Sequence, residues 1–134
     1  MPRTQDQRIP AGNDPADRFE LIKTAPDSDG TKYAAVYRYY HANSSSTVTA
    51  VWIMQGSPPS IGSTLPASGE PVMAFTGNPD ALRVRWPQDG GKLVIEVDGI
   101  TDAKTGPEAF EDCYFAETKV RNLACYDDKK VELR

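Results

Sequence analysis

Along residues 33–54 apolar and polar positions repeat with a period of two, the signature of a strand that turns one face inward. Pairing Tyr40 with Thr47 across a loop from His41 to Ser46 sets Tyr33, Ala35, Tyr37 and Tyr39 opposite Met54, Trp52, Ala50 and Val48. That face is expected to be the core side. The other face holds Arg38 and Thr49 near the tip and Val36, Val51, Ala34 and Ile53 towards the base, as expected of a strand pair only partly covered.

A second hairpin is marked by "LRVRW" and "KLVIEV" on either side of "PQDGG", with Asp89-Gly90 as the turn. Pairing Trp86 with Leu93 places Val84 opposite Ile95 and Leu82 opposite Val97, all facing inward. The same register sets Arg83 opposite Glu96 on the outer face, so hydrophobic pattern and charge agree. Shorter strands are expected at "FELIK", at "VMAF" and near Val131 to Leu133, with "TAPDSDGTK" as a turn.

The stretches "QGSPPSIGSTLPASGEP" and "DGITDAKTGPEA" read as loops. In "FEDCYFAETKVRNLACYDDKKVELR" the spacing of Phe110, Cys113 and Tyr114 fits a helix, whereas "CYF" and "LACY" fit two strands, and strands are the preferred reading. Residues 1–18 carry charge, Pro and Gly without periodicity and read as a flexible leader to a single β-rich domain over 19–134. About seven or eight short strands without a long helical pattern predict an all-β (or β-rich α+β) fold. Its expected form is a compact antiparallel β-sandwich or a partly open barrel.

Composition agrees with this class. The 134 residues suit one domain, and eleven prolines and ten glycines favour short strands and turns. Mean hydropathy is -0.53, while six tyrosines, two tryptophans and four phenylalanines provide large groups to bury. The formal net charge is -4. Lys and Arg are scattered, which argues against nucleic acid, because phosphate neutralisation needs them concentrated. No apolar run approaches the roughly 20 residues of a membrane span, and no apolar signal segment is visible. The polar, Pro-containing start resembles the stalk left when a targeting segment is removed, so a periplasmic or otherwise exported domain is expected, with a cytoplasmic one as the alternative.

Candidate chemistry is sparse. His41, the one histidine, precedes Ser44, Ser45 and Ser46, but no Gly-x-Ser-x-Gly elbow supports a nucleophile, and base and serines share one hairpin tip. Asn43-Ser44-Ser45 also forms an N-glycosylation sequon. A calcium loop through Asp27 and Asp29 fails, because Ala25 and Val36 occupy positions that need oxygen ligands. Cys113 and Cys125 permit a disulfide, worth roughly 3 kcal/mol on the loop-entropy model. They do not make a zinc site with a single His, so no metal and no cofactor are expected.

"APDSDGTKYAAVYRYY" is similar to the "SPDGKYxAxVY" opening of small exported bacterial β-domains of uncharacterised function. The strands at Leu82 to Trp86 and Leu93 to Val97 resemble the "VRVRW" and "LxI" strands of the same group. This chain differs in carrying Ser28, Asp29 and Thr31 inside the motif, and in having Tyr40 to Ser46 where a Cys- and Gly-rich segment would follow. The resemblance implies a small exported β-domain and supplies no activity.

The expected function is therefore a non-enzymatic protein-binding domain of the bacterial envelope, most concretely an immunity-type inhibitor of a basic toxin or enzyme. The alternatives are a structural envelope or lipoprotein domain and a small hydrolase. Candidate partner contacts are Arg38, Tyr40, His41 and Asn43 at the hairpin tip, with the acidic residues Glu111, Asp112, Asp127 and Asp128. Oligomeric state is left open by the prospect of an unpaired edge strand.

Overall fold

Strands form where the alternation is strongest. In the computed structural model, which describes residues 18–40, 47–61, 71–112 and 123–134, β1 (Arg18–Pro26), β2 (Lys32–Tyr40) and β3 (Val48–Gln55) form an antiparallel meander. The β2–β3 register pairs Tyr33 with Met54, Tyr37 with Ala50 and Tyr39 with Val48, as the alternation predicts. β4 (Met73–Thr76) extends this sheet antiparallel to β3, and β8 (Leu123–Tyr126) pairs antiparallel with β4. The sixth strand, β7 (Asp102–Thr105), runs parallel to β8 at the edge, giving the order β1-β2-β3-β4-β8-β7.

The second sheet is β5 (Leu82–Arg85), β6 (Leu93–Val97) and β9 (Val131–Leu133). The β5–β6 register matches Val84 with Ile95, Leu82 with Val97 and Arg83 with Glu96, also as predicted. β9 joins β6 in parallel. The chain is thus all-β in two sheets, with nine strands among the described residues and two parallel pairings.

The loop reading of residues 98–109 is corrected by β7. All four residues of that strand are exposed, so no inward-facing apolar position marks it in the sequence. The strand reading just after it is corrected at α1 (Ala109–Asp112), one helical turn in which Ala109 and Phe110 are buried. Residues 113–115, also read as strand, lie outside the described residues, as do 1–17, 41–46 and 62–70.

Over its central strands, β2 to β4, both faces of the large sheet are buried. One packs Ala34, Val36, Val51, Met73 and Phe75 against Leu82, Leu93, Ile95 and Val131 of the small sheet. On the opposite face Phe19, Tyr37, Tyr39 and Trp52 cluster with Phe110 of α1. There Phe19 and Tyr37 meet edge-on at 6.2 Å, and Tyr37 and Trp52 at 5.4 Å, the arrangement aromatic quadrupoles favour. Burial raises the Tyr37 pKa above the ordinary tyrosine value. The expectation of a half-covered second face fails because the small sheet lies on it: Val36 and Thr49 are wholly inaccessible. Thr49 meets the requirement for a buried hydroxyl by donating from Oγ1 to the Gly77 carbonyl at 2.8 Å.

A β-bulge in β1 connects the sheets. The β1–β2 register shifts between Leu21 and Lys23, so the extra residue Ile22 flips the faces of all that follows. Leu21 pairs with Tyr37 on the aromatic face, whereas Lys23 pairs with Val36 and Ala25 with Ala34 on the face towards the small sheet. From there Lys23 Nζ donates to the Leu82 carbonyl at 2.6 Å. Trp86 Nε1 in turn donates to the Ala25 carbonyl at 2.8 Å. The β1 and β5 edges are thereby joined through side chains, and the sandwich is closed along one side in the manner of a partly open barrel.

Candidate functional site

The turn between β8 and β9 is held by its first aspartate. Asp127 donates its N–H to the Val72 carbonyl, and its own carbonyl accepts from Lys130 and Val131, both at 3.0 Å. Its Oδ1 accepts from the Lys129 N–H at 3.0 Å, the side-chain-to-backbone bond that suits Asp to turns. Lys92, just before β6, donates from Nζ to the Asp128 carbonyl at 2.7 Å.

Next to this turn, Gly106 links β7 to β8 by donating to the Tyr126 carbonyl, and its carbonyl accepts from Ala109 at the start of α1. The Cys125 Sγ lies 3.3 Å from the Ala109 carbonyl oxygen. Turn and helical turn enclose a recess of about 350 Å3 lined by Pro71, Val72, Gly106, Pro107, Phe110 and residues 127–130. Pro71, Val72 and Phe110, all buried, form its apolar part, and Asp128, Lys129 and Lys130, all exposed, border it.

Two of the four predicted acidic contacts border this recess. Asp127 and Asp128 line the recess, and Glu111 and Asp112 follow Phe110 in α1, although their side chains lie outside the described part of the chain. Two features change their character. Asp127 spends Oδ1 on the turn, and Lys129 and Lys130 stand on the same rim, so the surface is mixed in charge.

The predicted hairpin-tip contacts lie elsewhere. Arg38, half-buried near the end of β2, pairs with Glu20 on one side and Thr49 on the other. Tyr40 ends β2 opposite Arg18, its side chain outside the described part, and His41 and Asn43 lie outside the described residues. In register Val48, the first residue of β3, pairs with Thr76 at one end of β4, whereas Asp127 follows the Tyr126 that pairs with Met73 at the other.

Sequence reasoning missed the apolar half of the recess, Pro71, Pro107 and Phe110. Gly106-Pro107 was the available signal, since a Gly-Pro step marks a sharp change of direction. Away from the recess, Asp27 is a turn residue: its Oδ1 accepts from the Thr31 N–H at 3.1 Å and its Oδ2 from Lys32 Nζ at 2.9 Å. The Lys32 bond holds the Asp27 carboxyl below the ordinary carboxylate range. Among the described residues no group of three His, Cys, Asp or Glu side chains is placed to hold a metal ion. No protein-family model, curated protein or solved structure matches this chain.

Proposed function

We propose that the chain is a non-enzymatic protein-binding domain whose contact surface is the recess between α1 and the β8–β9 turn. The observation that carries this reading is convergence: Pro71, Val72, Pro107 and Phe110, from segments distant in sequence, meet beside Asp127 and Asp128 in one concave surface on a hydrogen-bonded scaffold. A fixed apolar centre with a charged rim is the usual anatomy of a protein interface. The net charge of -4 favours a basic partner, and the rim lysines set its orientation. The most concrete version is an immunity-type inhibitor of a toxin, working in the bacterial envelope or another exported setting. There an oxidising environment would join Cys113 to Cys125 and brace α1 against β8. That bond is checked by intact mass with and without reductant, which differ by two hydrogens if it is present.

The partner surface is tested by calorimetric titration with the product of a neighbouring toxin-type gene. Asp128→Lys leaves the turn bond of Asp127 untouched and is expected to weaken binding by about 10-fold or more, while His41→Ala leaves affinity within about twofold. Unchanged affinity in Asp128→Lys, or loss of binding in His41→Ala, moves the contact surface to the hairpin tip. Absence of any such neighbour favours the alternative of a structural envelope domain.

A further inference from the structure

The two edges of the large sheet differ. On the β1 side the Ala25 carbonyl is taken up by Trp86 Nε1, and the bulge bends the strand. β7, on the other side, pairs only with β8 among the described residues and exposes all four of its side chains. Its hydrogen-bonding phase follows from its end: Gly106 donates its N–H inward to the Tyr126 carbonyl. Alternation then points the main-chain groups of Asp102 and Lys104 towards β8, and those of Thr101, Ala103 and Thr105 outward.

We infer that β7 is a homodimer interface, in which two copies pair antiparallel about a two-fold axis at Ala103 and continue the sheet from one chain into the next. In that register Ala103 exchanges both main-chain hydrogen bonds with its own copy, and Thr101 does so with the partner's Thr105. Asp102 faces Lys104 of the partner subunit twice over, once on each side of the axis. These are the non-hydrogen-bonded positions, where opposing Cα atoms approach to about 4.5 Å and side chains interact most closely. An isologous contact must be self-complementary, and the sequence Thr-Asp-Ala-Lys-Thr is so about its central alanine. Exposed edges are ordinarily protected by charges that repel a second strand; here the charges match a second copy. Lys104 also makes an interaction within its own chain, and the contact across the axis adds to it. The recess begins at Gly106, just past β7, and none of residues 101–105 lines it, so this inference rests on different residues from the partner-binding proposal.

Sedimentation equilibrium of the full chain over a wide concentration range tests it. Wild type is expected to show a reversible monomer–dimer equilibrium, weak because one short strand pair buries less than a stable interface requires. Lys104→Asp sets Asp against Asp on both sides of the axis and is expected to raise the dimer dissociation constant at least about tenfold. The double swap Asp102→Lys with Lys104→Asp restores dimerisation, as does mixing Lys104→Asp with Asp102→Lys. Ala103→Pro removes an outward N–H and is expected to be monomeric while its circular dichroism and melting stay native. A chain that stays monomeric throughout overturns the inference and leaves the edge to a strand of another protein. A dimer indifferent to all these substitutions overturns it equally, by placing the contact on another surface.

Discussion

Gly77 follows β4 with φ of 151°, its N–H donating to the Thr47 carbonyl and its carbonyl accepting from Thr49 Oγ1. A Cβ at this position would lie 2.8 Å from Cε2 of Phe75, a ring that is itself buried. Gly77→Ala therefore meets an unfavourable backbone conformation and a side-chain clash together. It is expected to cost about 1–3 kcal/mol, measured as a lowered urea midpoint with unchanged slope. Asp27 gives a pH dependence. Its carboxyl titrates below the ordinary value in the folded chain because Lys32 bonds to its charged form. Its contribution is present above the unfolded-state value of about 3.9 and is lost as pH falls through the lower folded value. The stability gap between wild type and Asp27→Asn should thus be full at neutral pH and close on acidification below about pH 4, as followed by thermal melts.

At the scale of elements, the hairpins were legible because alternation fixed each register, with a cross-strand charge pair as a second signal in β5–β6. The tyrosine alternation in β2 and the Arg83–Glu96 pair in the β5–β6 hairpin, seen at 3.2 Å, each exclude a one-residue slip. Asp98, just past β6, was not anticipated as the second partner of Arg83, which it binds at 3.0 Å. The β1 bulge was not legible, since Leu21 and Ile22 are both apolar and either could face the core. β7 was hidden for the opposite reason, having no buried face to leave a pattern. The parallel pairings rest on contacts between distant segments, which local alternation does not encode. The bulge has a measurable consequence, because it delivers Ala25 to Trp86 and Lys23 to Leu82. Trp86→Phe keeps the ring against the core but deletes one half-buried donor, and is expected to cost about 1 kcal/mol in denaturant unfolding. A cost near zero would mean that the β1–β5 seam is held by packing alone.

For the whole molecule, a two-sheet scaffold closed along one side presents the recess at the end of β8 on parts that are each tied down. Asp127 is bonded to Val72, Lys129 and Val131, and Gly106 ties α1 to the end of β8. Asp127 and Asp128 were legible as residue types, but the recess they border was not, because Pro71, Phe110 and Asp127 come together only through the β4–β8 pairing and the turn before α1. Amide hydrogen exchange of the full chain, with and without the neighbouring toxin-type product, tests the proposed surface most directly. Slowed exchange should concentrate at residues 106–112 and 127–130. Slowing confined to the β5–β6 hairpin or to β2 near Arg38, with the recess unchanged, would contradict the account.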